Sequence, residues 1–469
     1  MMSIRLACIG LSLAASAAFA AEPGEAEFRS LYRELVETNT SLSAGDCTLA
    51  AQRMAAHLKA AGFADGELTI FVPPDHPKEG GLVAVYPGRD AKLKAMLLLA
   101  HLDVVEAKRE DWTRDPFKLV EENGNFYARG AVDDKAEAAI WVDSLARLRS
   151  EKYQPRRTIK LALTCGEETS SALNGARWLT ENKRDLVDAA FALNEGAWGE
   201  LDKDGKKVLL QIQAGEKTSQ DFRLEVTNAG GHSSRPVKNN AIYHLAGALT
   251  NISKYDFPVM FTDGSRAYFA AMAKAQAAKG ETETANAMNA FLKDPNDAAA
   301  LALVSSKDPS WNATLRTTCV ATMLDGGHAT NALPQRARAN VNCRIFPGVN
   351  REDVRKKLEE LAADPDVKVT TLGVRNENPP VPPLTPAIMK PYEKLAAEFY
   401  PGVPVVPVLQ AGATDGAFFN VIGIPTYGVM PIFMGPDLGH IHGLNEYVSV
   451  DALMTGRSFL YRLIKDYSK

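Results

Sequence analysis

Ala95-Met96-Leu97-Leu98-Leu99-Ala100-His101-Leu102-Asp103 is the stretch that decides the fold. An apolar run without alternation ends abruptly on an imidazole and a carboxylate. A strand exposed on one face alternates apolar with polar residues, so this run reads as a strand buried on both faces. Working outward, Gly81 to Tyr86, Thr158 to Thr164, Ala189 to Leu193 and Thr426 to Ile432 are similar short apolar runs. Helical spacing separates several of them, as at Lys135 to Leu148 and Ser171 to Leu179. Ahead of them, Glu27 to Thr38 and Asp46 to Ala61 also carry helical spacing, with Asp46 as cap and Gly62 as stop. Buried strands alternating with helices predict an α/β fold around a largely parallel sheet.

A second unit interrupts this pattern. Ser219 to Thr227 alternates through Phe222, Leu224 and Val226, as a strand with one wet face does. A helix is predicted near Asn240 to Asn251, strands at Leu315 to Met323 and Ala337 to Phe346, a helix over Val354 to Leu361 and a strand over Val367 to Val374. These elements predict a smaller α+β sandwich. The Ala-rich stretch Ala267 to Leu303 reads as a helical pair. The proline cluster Pro379-Pro380-Val381-Pro382-Pro383 reads as the linker back to the first unit. The boundaries expected are therefore 21–215 and 381–469 for the first domain, in two parts, and 216–380 for the inserted one.

With 469 residues, 46% hydrophobic and 23% charged, the chain has an ordinary globular balance, which excludes wholesale disorder and a polytopic membrane protein. A net charge of −4 gives no basic field for nucleic acid. Residues 1–20 read as a secretory signal peptide: Arg5, an uncharged apolar run from Leu6, and the small-x-small Ala18-Phe19-Ala20. Export to the periplasm or medium is expected, with no membrane association after cleavage. Of the remaining cysteines, Cys319 and Cys343 lie in strand-like stretches and are the favoured pair. Cys165, in an apolar run, reads as simply buried. Three full connectivities stay open for the four.

Polar residues cluster where the apolar runs stop. They are His101-Leu102-Asp103, Gly166-Glu167-Glu168, Asn194-Glu195-Gly196 and His440-Ile441-His442, with Asp133-Asp134-Lys135 at the head of a helix. In an open α/β sheet, sites form beyond the carboxyl ends of strands. Imidazoles with several carboxylates suit a borderline divalent metal, zinc before magnesium, and one carboxylate can bridge two metals. Side chains two apart on a strand point the same way, so Asp103 is expected to bond the far nitrogen of His101. Adjacent Glu167 and Glu168 must diverge, one towards metal and one towards a water.

Six motifs carry a resemblance: His101-Leu102-Asp103-Val104-Val105, Gly130-Ala131-Val132-Asp133-Asp134-Lys135, Gly166-Glu167-Glu168, Asn194-Glu195-Gly196, Gly230-Gly231-His232-Ser233-Ser234 and His442-Gly443-Leu444-Asn445-Glu446. Together they resemble the di-zinc metallopeptidases that include aminoacylase-1, carnosinase, acetylornithine deacetylase and succinyl-diaminopimelate desuccinylase, glutamate carboxypeptidase-like enzymes, over nearly the whole chain after residue 20. The resemblance implies a zinc-peptidase catalytic domain with an inserted lid and dimerisation domain, two zinc ions per chain and a homodimer. It implies that Asp133 bridges the zincs, that His101 and Glu195 complete one site and that Glu168 and His442 complete the other. Glu167 would be the general base, Asp103 would orient His101, and His232 would stabilise the tetrahedral intermediate from the lid. Asn331 in Asn331-Ala332-Leu333-Pro334 and Arg344 in Cys343-Arg344-Ile345-Phe346-Pro347-Gly348 resemble the substrate-binding asparagine and the carboxylate-binding arginine.

The chain departs from the pattern at Ala136, where glycine is usual, and in the stretch 267–303, expected to enlarge the lid. His440 competes with His442 on spacing alone; Asn445-Glu446 favours His442. His57, His76, His244 and His328 read as structural. The function expected is an exported di-zinc hydrolase that cleaves a peptide or N-acyl amino acid beside a free carboxylate. Cobalt or manganese could replace zinc in such a ligand set. The alternative is a periplasmic two-lobed ligand-binding protein, which asks for neither the Glu167-Glu168 pair nor five ordered ligands.

Overall fold

The computed structural model describes residues 23–169, 173–373 and 378–469. The expected signal peptide at 1–20, the start of the expected helix at Ser171 and the Val374 end of an expected strand lie outside them. The opening run forms the strand Met96–His101, in the middle of a ten-stranded sheet. It pairs in parallel with Ile159–Thr164 and Phe191–Asn194, and Phe191–Asn194 pairs in parallel with Thr426–Gly428. Antiparallel strands flank this parallel centre, among them Gly81–Tyr86.

The continuous apolar reading has a direct cause. Met96, Leu98 and Ala100 enter one hydrophobic cluster, and Leu97 and Leu99 enter the cluster on the opposite face. Helices Glu25–Glu37, Cys47–Ala60, Lys135–Ser150, Pro386–Phe399 and Val450–Tyr467 contribute to the first cluster; Gly175–Asn182 and Gly416–Val421 contribute to the second. Each fully buried leucine contributes about 1.5–3 kcal/mol relative to exposure. The run Thr426 to Ile432 is shorter as a strand than expected. It leaves the sheet after Gly428, whose Cβ position would meet the Gly196 carbonyl oxygen at 2.3 Å.

The strand Lys207–Glu216 of the large sheet passes through Lys217 alone into Thr218–Thr227 of a second, four-stranded antiparallel sheet. There Thr318–Gly326 is an edge, followed by Arg336–Ile345, Thr218–Thr227 and Lys368–Leu372. Phe222, Leu224, Val226, Ala339 and Val341 face a core shared with helices Ala241–Ile252 and Arg351–Ala362. At the alternate positions on the other face, Asn340 and Asn342 each donate to the Asp221 carboxylate.

Two expectations are corrected. The Ala-rich stretch spans three helices rather than two, Asp263–Ala278, Thr282–Lys293 and Ala298–Lys307, and a fourth, Pro309–Leu315, follows it. They pack on Leu209 and Val406 of the large sheet, not into the core of the smaller one. Phe269, Met288 and Phe291 need an apolar partner, and the strand Val405–Gln410 supplies it. Cys165 is buried but not free: it is disulfide-bonded to Cys47, alongside the expected Cys319–Cys343 bridge. Among the described residues no helix is long and apolar enough to cross a membrane.

Candidate metal centre

His101 is the last residue of its strand, Glu195 directly follows Phe191–Asn194, and Glu168 follows the end of Ile159–Thr164. Because these strands are parallel, their carboxyl ends share one edge. Asp133 arrives from the turn ahead of helix Lys135–Ser150, and His442 from the loop before Tyr447–Ser449.

Asp133 occupies the middle. Its Oδ1 lies 3.0 Å from His101 Nε2 and its Oδ2 lies 3.1 Å from His442 Nε2. Glu195 Oε1 is 3.7 Å from His101 Nε2, and Glu168 Oε1 is 2.7 Å from His442 Nε2. The result is two donor groups, His101-Asp133-Glu195 and Asp133-Glu168-His442, each with its ligand atoms within 4.8 Å of one another and sharing one carboxylate. His440 is turned away. Its Nδ1 meets the Leu444 carbonyl at 3.2 Å and its ring packs edge-on against Tyr447.

The electrostatics of these side chains follow from their crowding. Burial pushes the Glu195 carboxyl up to about 7, against the pull of His101. Burial also raises Asp133, but hydrogen bonds from both imidazoles overcome it and hold that carboxyl well below its ordinary range. Hydrogen bonds to Asp133 and Glu168 push the His442 imidazole up to about 10. The three crowded carboxylates thus favour positive charge beside them. A pair of divalent cations between the same atoms would supply that charge in place of protons. The nitrogen and oxygen donors fit zinc, and also cobalt or manganese.

The role expected of the Asp103 side chain is corrected. The strand ends at His101, so the chain turns, and His101 Nδ1 donates to the main-chain carbonyl of Asp103 at 3.0 Å. The Asp103 carboxylate is 3.6 Å from that nitrogen. It accepts instead from the backbone N–H groups of Glu167 at 3.3 Å and Glu168 at 3.0 Å. Gly166 makes this turn possible: at φ +96°, a Cβ there would lie 1.8 Å from the Leu173 carbonyl oxygen. The Glu167 carboxylate faces the same space as His101 and Glu168. Burial, reinforced by the charge of Glu195, pushes it well above the usual carboxylate range.

Residues given no part by the sequence reading also build the site. Glu446 is fully buried and accepts from the N–H groups of Gly130, Val132 and Asp133 at 3.0, 2.8 and 3.2 Å. It pairs with Arg129 at 2.7 Å, and Arg129 in turn donates to the carbonyls of His442 and Gly443. Glu216 accepts from the N–H and hydroxyl of Thr414 at 3.0 and 2.8 Å. A cavity of about 150 Å³ is lined by Glu167, Lys217, Ser219, Thr414, Arg177 and Phe418. Arg344 stands directly across the ladder from Ser219, where neighbouring side chains share a face. His232 and Asn331 come together on a small exposed ladder: Gly231–His232 pairs with Ala332–Leu333, and the Ser233 N–H donates to the Asn331 carbonyl. His232 is exposed and its Nδ1 is 2.7 Å from Ser234 Oγ, with no contact to the five-residue cluster.

The family model described as Peptidase family M20/M25/M40 matches residues 97–466. The human N-fatty-acyl-amino acid synthase/hydrolase PM20D1 is 30% identical over 406 residues, which is 85% of this chain and 79% of that protein. The probable carboxypeptidase S-like 2 of Dictyostelium discoideum is 26% identical over 396 residues, covering 83% and 74%. Among solved structures, the M20 family metallo-carboxypeptidase Sso-CP2 from Sulfolobus solfataricus superposes with a TM-score of 0.70 at 19% identity, over 94% of this chain and 99% of that one.

Proposed function

This chain belongs to peptidase family M20/M25/M40, and from that membership we propose that it is an exported hydrolase with two divalent ions per chain, zinc first, that cleaves an amide beside a free carboxylate. The substrate is a small peptide or an N-acyl amino acid. One observation carries the reading: Asp133 presents a different oxygen to each of two imidazoles, and each imidazole has its own second carboxylate. A ligand-binding lobe without chemistry has no need of that symmetry.

When bound, the ion pair supplies Lewis-acid polarisation of the scissile carbonyl and acidifies the attacking water. The remaining work falls to the chain. Glu167, half-buried and raised in pKa, takes the proton from the attacking water and passes it to the leaving amine. Asp103 fixes the main chain of Glu167 and Glu168 through their N–H groups. Arg344, beside the cavity that Glu167 lines, forks onto the substrate carboxylate with help from Asn331. Similar proteins named as an N-fatty-acyl-amino acid hydrolase and a carboxypeptidase support a substrate that presents a carboxylate next to the amide.

His232 stands exposed on its own two-stranded ladder, and we place it in the site of a second copy. The edge strand Thr318–Gly326 supports a homodimer: Val320, Met323 and Leu324 are 60%, 71% and 72% exposed, an open apolar edge of the kind that pairs with another chain. The pattern of residues 1–20 and the two disulfides support export to an oxidising compartment, periplasmic or extracellular.

Elemental analysis of the purified protein should return two divalent ions per chain. Glu167→Gln should keep both and lose at least 10²–10⁴-fold in kcat, whereas Glu168→Gln should lose metal. Wild-type turnover in Glu167→Gln at saturating zinc would place the base elsewhere.

A further inference from the structure

Glu167 lies past the end of the strand Ile159–Thr164, in a turn outside the sheet ladder. Several ties hold that turn, among them the side-chain amide of Asn174, which donates to the Gly166 carbonyl at 3.3 Å. Thr164 Oγ1 donates to Asp415 at 2.7 Å, before the turn. The Asp103 carboxylate holds the N–H groups of Glu167 and Glu168. Between these, Cys165 accepts from the Gly175 N–H at 2.7 Å and carries the disulfide to Cys47. Cys47 opens the helix Cys47–Ala60, whose Ala50, Ala51, Met54 and Leu58 are buried in the main core. Both sulfurs and a carboxylate oxygen of Asp103 lie within 4.8 Å of one another. The cross-link therefore anchors the chain two residues ahead of Glu167 and lies beside the carboxylate that grips its amide.

We propose that Cys47 and Cys165 are positioning residues, whose disulfide holds the Glu167 turn in working geometry so that opening it lowers turnover while metal and substrate binding persist. This rests on the reading of Glu167 as the group that takes the proton. A shift of about 1 Å in a reacting group costs about 10²-fold, and the disulfide is a covalent tie two residues from Glu167, where the others are hydrogen bonds. The second bridge, Cys319–Cys343, joins strands already paired along their length, so it is a control of equal covalent kind.

A cavity of about 240 Å³ opens onto the first bridge, lined by Cys47, Cys165, Asp103, Gly166, Ser41 and His76. It gives a dithiol reductant a route to the sulfurs. One thiolate of the reductant attacks a cysteine sulfur and the Cys47–Cys165 bond breaks. The second thiol then displaces the mixed disulfide. Cys47 and Cys165 end as thiols with two protons and two electrons gained, and the reductant leaves as its cyclic disulfide.

The test compares zinc-loaded Cys47→Ser/Cys165→Ser with Cys319→Ser/Cys343→Ser on one N-acyl amino acid, well below either melting temperature. Both variants should melt earlier than wild type. Only the first should lose ten- to a hundredfold in kcat, with KM and two bound ions unchanged. A folded Cys47→Ser/Cys165→Ser protein with wild-type kcat overturns the proposal. If that variant does not fold, holoenzyme is treated with a phosphine reductant, which is oxidised to its oxide, and the freed thiols are alkylated and mapped. Full activity with Cys47 and Cys165 alkylated overturns the proposal equally. Glu167→Gln separates the two readings. An active Glu167→Gln removes the premise, whereas an inactive one beside a normal Cys47→Ser/Cys165→Ser removes the clamp alone.

Discussion

Arg344 and Asp133 show how much a single side chain depends on what faces it. Asp133 was legible through the resemblance of Gly130-Ala131-Val132-Asp133-Asp134-Lys135 to the family's motif, since an acid at the head of a helix is by itself ordinary. Its sharing between two imidazoles at 3.0 and 3.1 Å is a property of the folded chain. Asp103 was legible as a site residue but not in its role. Strand alternation placed its side chain beside His101, and the turn that begins at His101 gave that duty to a main-chain carbonyl instead. Arg344 ends a strand opposite Ser219, beside the cavity that holds Glu167. Replacing it with alanine should cost about 1.5–3 kcal/mol of transition-state binding, roughly ten- to a hundredfold in kcat/KM. Comparing a dipeptide with its C-terminal amide checks this. Wild type should prefer the free acid strongly, and Arg344→Ala should lose most of that preference; equal rates on both in wild type would remove the role.

Among the elements, continuous apolar runs were read correctly because a strand covered on both faces leaves no polar position in its sequence. Val405–Gln410 escaped that reading because Pro407 interrupts it, and proline is tolerated only where a strand lacks a partner on one side. Lys207–Glu216 escaped because Gln211 and Gln213 are buried within it. Gln211 is satisfied by Glu200, and Gln213 donates to Glu216. No local pattern announces such partners. The same holds for the bridge between Cys47 and Cys165, 118 residues apart. Glu446 joins two ligand-bearing loops through Arg129 and three backbone N–H groups. Glu446→Ala leaves a buried guanidinium and those N–H groups unpaired, at an expected cost of about 3–5 kcal/mol. Chemical denaturation should record that loss, and equilibrium dialysis should show weaker metal retention than in Glu446→Gln, which keeps two acceptor lone pairs at the same place. Equal metal retention in both variants would mean that the loops hold their shape without Glu446.

At the scale of the whole molecule, two sheets are joined by the direct passage of Lys207–Glu216 into Thr218–Thr227, while the exposed His232 stands on a ladder of its own. Mixing inactive His232→Ala with inactive Glu167→Gln protomers should restore roughly a quarter of wild-type activity if each site borrows its histidine from the other copy, since half the dimers are mixed and each has one intact site. No recovery after demonstrated subunit exchange would exclude that arrangement. The ligands also have an order in time. His101, Asp133, Glu168 and Glu195 are synthesised early, whereas His442 meets Glu168 across 274 positions of chain and Glu446 meets Asp133 across 313. At a ribosome adding about 5–20 residues per second, the first four ligands wait many seconds for the last. During that interval every member of the His101-Asp133-Glu195 group is already made, whereas the Asp133-Glu168-His442 group is not, so the two halves of the centre are completed in sequence and the second only near the end of synthesis.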